Sequence, residues 1–165
     1  MIAVRELRKL YGVTQAQLAE ILGVTQPAVV AWEKGLRVPR DPYALEIIEK
    51  MQEYRSFPCE VIEGGLRRPP VEFPLARWTP IVRQDAIVRL PVPLHWSPIK
   101  LKEFDLANAQ HRNFVYTEVL GHGAARDICF WIDPELLLEC YQELFLATYA
   151  QEGFLRLVER LKESA

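Results

Sequence analysis

The sequence predicts a mainly α-helical protein that begins with a compact helical bundle and ends in a small α+β domain. Segments of helical periodicity with their own start and stop signals follow one another through the first 55 residues, and such periodicity returns from about residue 108. Between them, eight of the twelve prolines fall within residues 56–98. Prolines at that spacing exclude long helices and favour edge strands and turns.

The most specific local pattern is TQAQLAEILGVTQPAVVAWEKG, which starts at Thr14 and indicates two short helices joined by a tight turn. Thr14 and Gln17 have the spacing of a capping box, so the first helix begins there. Gly23 suits the left-handed conformation that ends a helix. Thr25 can cap the second helix, with Pro27 in its first turn, where a missing N–H costs little.

Helical spacing also predicts the core of the bundle. A first helix over residues 2–11 and a fourth helix from the Asp41-Pro42 cap to about Tyr54 flank the capped pair. The side chains expected to face inward are Val4, Leu7, Leu10, Leu18, Ile21, Leu22, Val29, Trp32, Leu45, Ile48 and Met51.

Two capped helices joined by a glycine-containing turn form a helix-turn-helix, whose second helix enters the major groove of DNA. The pattern T-Q-x-x-L-A-x-x-L-G-V-x-Q-x-x-V-x-x-W-E-x-G resembles the Xre-type family of phage lambda repressor-like and Cro-like proteins, over about residues 1–55. The resemblance implies a double-stranded DNA partner. The implied DNA-binding residues are Gln15, Thr25, Gln26, Pro27, Ala28, Val30, Ala31, Lys34, Arg37 and Arg40.

The distribution of charge agrees with this reading of the N-terminal part. The whole chain has a formal net charge of −2, but residues 1–40 carry six Lys/Arg against three Glu, a net charge of +3. The remaining residues have a net charge of −5, with 14 basic and 19 acidic side chains. The positive end therefore coincides with the motif, as in a DNA-binding head on a body that does not bind DNA.

The base-facing surface implied for the second helix has one good hydrogen-bonding side chain, Gln26, among small apolar residues. Glutamine can pair with adenine, and small apolar side chains suit the thymine methyl group, so we expect A/T-containing half-sites. Phosphate contacts are expected from Lys34, Arg37 and Arg40, with Arg8 as a further candidate.

We expect three segments along the chain: a helix-turn-helix domain over residues 1–55, a linker over 56–71 and an α+β domain over 72–165. The linker contains Gly64-Gly65 and Arg67-Arg68, and the arginine pair is interpreted as a solvated hinge in preference to a phosphate clamp. Short strands are predicted over residues 59–62, 78–83 and 86–92. Helices are predicted from about 108 to 120, over 125–131, after Asp133-Pro134 and over 148–162.

The sequence contains no pattern typical of a catalytic, metal or cofactor site, so we do not expect an enzyme. Cys59, Cys129 and Cys140 are too scattered for a disulfide framework or a zinc site and indicate reduced thiols in a cytoplasmic protein. Asp127 and Asp133 are interpreted as helix-capping or first-turn acids. No apolar run approaches the length that spans a bilayer.

The function expected from these observations is a transcriptional repressor. The apolar helices of the C-terminal domain favour a homodimer, with a small-molecule effector or a protein partner as further roles of that domain. The alternative is the antitoxin of a toxin–antitoxin pair, whose C-terminal domain binds a toxin protein. A self-cleaving repressor, using Ser97 with Lys100 or Lys102, is a third and less favoured class.

Overall fold

A computed structural model of the protein describes residues 2–95 and 102–165, and the chain forms two compact units. The N-terminal unit spans Met1–Ser56 and the C-terminal unit spans Phe57–Ala165. The described residues form the predicted fold class, a helical bundle followed by an α+β unit. Within the segment expected to be a linker, residues 59–62 form a strand that belongs to the C-terminal unit.

The N-terminal unit consists of four helices around one apolar core. Their bounds are α1 (Val4–Tyr11), α2 (Gln15–Leu22), α3 (Gln26–Glu33) and α4 (Pro42–Tyr54). The buried core side chains are Leu7, Tyr11, Val13, Leu18, Ala19, Leu22, Val29, Ala44, Ile47, Ile48, Met51 and Tyr54. The Tyr11 hydroxyl donates a 2.6 Å hydrogen bond to the Met51 carbonyl, which joins α1 to α4.

The helix starts of this unit are set by local side-chain bonds, as predicted. The backbone N–H of Gln17 donates to Thr14 Oγ at 3.1 Å, and the backbone N–H of Thr14 donates to Gln17 Oε1 at 2.8 Å, which completes the capping box of α2. Thr25 Oγ caps α3, and Asp41 Oδ1 caps α4 by accepting from Ala44 N at 2.9 Å. Each bond satisfies a backbone donor that the helix leaves free.

One prediction about the core of the bundle is wrong, and four others are met only in part. Leu45 is exposed, because the buried stripe of α4 runs one position away through Ala44, Ile47 and Ile48. Val4, Leu10, Ile21 and Trp32 are half-buried, and Val29 is the one fully buried residue of α3.

The C-terminal unit combines four α-helices with short antiparallel strands in its described part. The strands are β1 (Cys59–Ile62), β2 (Val71–Pro74), β3 (Ile87–Val88) and β4 (Phe104–Asp105), with a 3-10 helix over Val92–Leu94. The helices are α5 (Ala109–His122), α6 (Ala125–Trp131), α7 (Pro134–Cys140) and α8 (Thr148–Glu163), with a 3-10 helix over Tyr141–Glu143 after α7. In the two small sheets β1 pairs with β2, from Cys59 opposite Pro74 to Ile62 opposite Val71, and β3 pairs with β4.

The strands differ from the sequence prediction more than the helices do. Residues 78–83 are not a strand, and only Ile87–Val88 of the segment 86–92 forms one. Trp78 is instead held by a 2.7 Å hydrogen bond from its Nε1 to the Ile132 carbonyl, and the amides of Ile81 and Val82 donate to the Phe130 carbonyl. Two strands were missed: β2, which lies just after two prolines, and the two-residue β4.

Helix α8 packs directly on the β1–β2 sheet at Gly153, where an added Cβ would lie 2.8 Å from Ile62 side-chain carbons. Arg156 and Arg160 of this helix both pair with Glu60 of β1. Among the α-helices in the described part of this unit, only Leu155 exposes a large apolar side chain. These helices therefore expose little of the apolar surface on which the expectation of a homodimer was based.

None of the helices in the described residues combines the length and the apolar character needed to cross a membrane.

Candidate nucleic-acid interface

The second helix of the motif, α3, is anchored by one side of its surface and presents the other side to solvent. Val29 is fully buried, while Thr25, Gln26 and Pro27 are exposed. Ala28, Val30 and Ala31 are half-buried and lie beside them. Within the N-terminal unit, this arrangement leaves the predicted base-facing residues accessible along a helix of eight residues.

Three basic side chains follow α3 in the turn and loop that lead to α4. Lys34 is the C-cap residue of α3, and Gly35 turns the chain with a φ of 72°, in the left-handed region that favours glycine. Lys34, Arg37 and Arg40 are all exposed. In the part of the chain that the structure describes, no carboxylate oxygen lies within ion-pair distance of any of them. Their charges therefore stay available to an external anion.

A partly buried ion pair that the sequence did not reveal connects α1 to the end of α3. Arg8 Nε donates to Glu33 Oε1 at 2.6 Å, and the side chains of Arg8 and Glu33 are only 16% and 5% exposed. Arg8 also donates to the Val13 carbonyl at 3.0 Å. Three hydrogen bonds, two to Glu33 and one to Val13, give Arg8 a structural role in the bundle, which the sequence did not indicate.

Gln15, the predicted DNA contact at the start of α2, belongs to the same network. Its Nε2 donates to Glu33 Oε2 at 2.8 Å, and its side chain is half-buried. The hydrogen bonds from Arg8 and Gln15 hold the pKa of Glu33 below its ordinary value of 4.5. Glu33 is thus ionised near neutral pH and fixes the orientation of Gln15. The only sequence signal for this role was a charged residue beside Trp32 in an otherwise apolar helix.

A cleft of about 680 Å³ opens beside this network, between α1 and the ends of α2 and α3. Its lining includes Arg5, Lys9 and Lys34, and its one carboxylate is Glu33, which Arg8 neutralises. The cleft is therefore positively charged and borders the exposed side of α3 at Val30. Such a surface suits a phosphate backbone that runs past an inserted helix.

The other candidate residues have structural surroundings. Asp127 is buried and accepts from Ala124 N at 2.8 Å at the start of α6, and its burial raises the pKa of the carboxyl. Burial also raises the pKa of the Cys59 and Cys140 thiols, which keeps them protonated. Within residues 2–95 and 102–165, no three His, Cys, Asp or Glu side chains come together as a metal site would require. Ser97 and Lys100 lie outside the described residues.

The comparisons with known proteins concern the N-terminal unit alone. Residues 4–54 match the family model described as helix-turn-helix, and the C-terminal part matches no family model. No curated protein and no solved structure matches the chain. The matched residues are those of the four-helix bundle, with the exposed face of α3 and the basic loop that follows it. Residues 4–54, and not the chain as a whole, therefore match the Xre, lambda repressor-like helix-turn-helix family, and this match supports a DNA-binding role for the N-terminal unit.

Proposed function

We propose that this protein is a transcriptional repressor that binds operator DNA as a homodimer and blocks a promoter by occupying it. The single observation that carries the proposal is the exposed face of α3, in a unit that matches the helix-turn-helix family and is followed by three exposed basic residues. The proposal includes no enzymatic activity, and it places the protein in the cytoplasm, where its operator would be.

Base recognition in this proposal centres on Gln26. Its side chain is exposed at the first position of α3, where the amide can make two hydrogen bonds with an adenine. Ala28 and Ala31 are small enough to approach a thymine methyl group. The expected half-site therefore contains A/T pairs, and a bidentate contact from Gln26 would contribute roughly 1–3 kcal/mol of discrimination.

Backbone contacts would supply much of the affinity. Lys34, Arg37 and Arg40 are exposed and lack carboxylate partners among the described residues, so each can pair with a phosphate. Each contact should lower the logarithm of the binding constant by about 0.9 per logarithmic unit of salt. Gln15 keeps a second amide hydrogen beyond the one given to Glu33, and this hydrogen is free to donate to a phosphate.

Dimerisation is supported by the small size of the unit, because a single recognition helix reads few base pairs and two-fold pairing doubles the site. Exposed apolar side chains that could contribute to self-association are Leu36 and Val38 in the N-terminal unit, and Ile87, Val92 and Phe145 in the C-terminal unit. Sedimentation of the full chain at micromolar concentration, with and without DNA, tests this part. A monomer under both conditions would remove the homodimer from the proposal.

The main experiment is a selection of bound duplexes from a random-sequence pool, followed by affinity measurements at one fixed salt concentration. Gln26→Ala should weaken binding to the selected duplex by roughly 1–3 kcal/mol and leave binding to unrelated DNA unchanged. Gln110→Ala, an exposed glutamine of the C-terminal unit, is the matched control and should change neither. Equal affinities for Gln26→Ala and the unaltered chain would contradict the assigned base contact.

The antitoxin alternative uses the same DNA-binding unit and differs in what the C-terminal unit binds. Expression of the chain together with its neighbouring reading frames, followed by affinity purification, separates the two functions. A second chain that co-purifies in a fixed ratio and is toxic when expressed alone would favour the antitoxin. A homodimer without such a chain would favour the repressor.

A further inference from the structure

The loop between β1 and β2, residues 63–70, is attached to α8 and is not a free hinge. The Tyr149 hydroxyl donates a 2.9 Å hydrogen bond to the Pro69 carbonyl, and the Arg68 guanidinium lies over the Tyr149 ring at 5.5 Å from its centroid. The backbone of Gly64 lies so close to Arg68 that a Cβ added at Gly64 would be 2.6 Å from the Cβ and from the carbonyl oxygen of Arg68. This loop, which we call the hairpin loop, is therefore pre-organised.

The hairpin loop presents positive charge to solvent. Leu66 at its tip is fully exposed, and Arg67 and Arg68 are exposed beside it. No carboxylate forms an ion pair with either arginine in the residues that the structure describes, and this includes Glu63, the acid of the loop itself. Exposed arginines elsewhere in the C-terminal unit are neutralised, since Arg83 pairs with Asp85 and Arg89 pairs with Glu103.

The ring under Arg68 leaves the guanidinium able to bind an anion. A cation–π contact uses none of the N–H groups of a guanidinium as hydrogen-bond donors to an acceptor atom, so they can still donate to phosphate oxygens. Arg67 and Arg68 are adjacent on a loop that is fixed at both ends by paired strands, so little ordering is needed on binding. The hairpin loop therefore has the chemistry of a small phosphate-binding element.

We propose that the hairpin loop makes a second, sequence-independent contact with duplex DNA, in which Arg67 and Arg68 pair with backbone phosphates. The inference rests on the proposed function, because the N-terminal unit of the same chain would bring the duplex to this loop. Residues 57–165 as a whole carry 12 basic and 15 acidic side chains, a net charge of −3, so the binding of a polyanion needs a local positive site such as this one. DNA is the polyanion that the chain already has a domain to hold.

The test compares the salt dependence of DNA binding between full-length variants. The probe is a fluorescein-labelled random-sequence duplex of about 30 base pairs, titrated between about 50 and 200 mM salt. Arg67→Ala/Arg68→Ala should reduce the slope of log K against log salt by about 1.8. The loss of affinity caused by the two substitutions is then about 12-fold larger at about 50 mM salt than at about 200 mM salt. The matched control is Arg83→Ala/Arg89→Ala, which removes the same charge from two exposed but paired arginines and should leave the slope unchanged.

A second pair of variants separates failure of this inference from failure of the proposed function. If Lys34→Ala/Arg37→Ala lowers the slope and the hairpin-loop variant does not, the inference is overturned and the proposed function stands. If the unaltered chain does not bind the duplex at all, both fail. Equal loss of slope in the hairpin-loop variant and its control would show a general charge effect and overturn the inference. The inference would also be overturned if the hairpin-loop variant lost binding to phosphatidylserine vesicles while its salt slope for duplex binding stayed the same as that of the unaltered chain. Circular dichroism spectra must match across the variants.

Discussion

Replacement of Glu33 by alanine is expected to destabilise the N-terminal unit by about 3 kcal/mol, because it leaves a nearly buried guanidinium without its partner. The Glu33 carboxylate accepts hydrogen bonds from Arg8 Nε at 2.6 Å, Arg8 Nη2 at 3.3 Å and Gln15 Nε2 at 2.8 Å. Exposed ion pairs contribute about 0.2–1 kcal/mol, and breaking a buried pair costs about 3–5 kcal/mol. The side chains here are 16% and 5% exposed, which places the loss near the lower end of the buried range.

Hydrogen exchange of the full chain, followed on peptides from α1 and α3, measures this loss where it occurs. A change of about 3 kcal/mol corresponds to exchange that is faster by about a hundredfold. Glu46→Ala is the control, since its partner Lys50 is one turn away on the surface of α4 and the pair should contribute less than about 0.5 kcal/mol. A double-mutant cycle with Arg8→Ala should show a coupling energy of about 2 kcal/mol. A coupling energy near zero, or equal effects of Glu33→Ala and Glu46→Ala, would refute the reasoning.

Two further predictions concern acid stability and the packing of α8. The pKa of Glu33 is lowered in the folded state, so its contribution to stability is present above its ordinary value of 4.5 and is lost as the pH falls through the lower folded-state pKa. Acid titrations followed by circular dichroism should therefore show a smaller loss of stability below that pH for Glu33→Gln than for the unaltered chain. In α8, Gly153→Ala would bring a Cβ within 2.8 Å of Ile62 and should cost about 1–2 kcal/mol in urea unfolding. Gly121→Ala, where the added Cβ meets nothing within 4 Å, should instead stabilise by up to about 1 kcal/mol, and equal effects at the two positions would contradict the packing argument.

The helices could be predicted from the sequence because their ends depend on local bonds. Thr14, Thr25 and Asp41 each cap a helix through a bond to a backbone N–H three residues on. Asp133 likewise accepts from Glu135 N and Leu136 N at the start of α7. These bonds need only neighbours in the chain, so a short stretch of sequence contains all the information.

The strands depend on distant partners and were predicted less well. Residues 78–83 are rich in β-formers, yet the amides of Ile81 and Val82 donate to the Phe130 carbonyl and not to a neighbouring strand. Val71–Pro74 forms a strand in spite of the two prolines before it. It pairs with β1 through the turn of the hairpin loop, and α8 packs on the pair. Composition alone does not report such long-range contacts.

The candidate site was predicted in part for the same reason. The exposure of Gln26 on α3 and the basic loop after it follow from local periodicity. The Arg8–Glu33 pair joins residues 25 positions apart, so no local pattern revealed that Arg8 is occupied. Leu45 was misplaced because a period of 3.6 residues fits two neighbouring apolar stripes of a helix almost equally well, and only the partner surface decides which of them is buried.

The way in which α3 is held has a consequence for how this protein could diversify. Val29 alone is fully buried in that helix, so the fold depends on few of its side chains. Substitutions at positions 26, 27 and 28 should therefore alter target preference with little effect on folding. A library randomised at the exposed positions 26 and 27 and at the half-buried position 28 should keep the fold and change the DNA target, which makes this helix a favourable starting point for engineering regulators that do not cross-react.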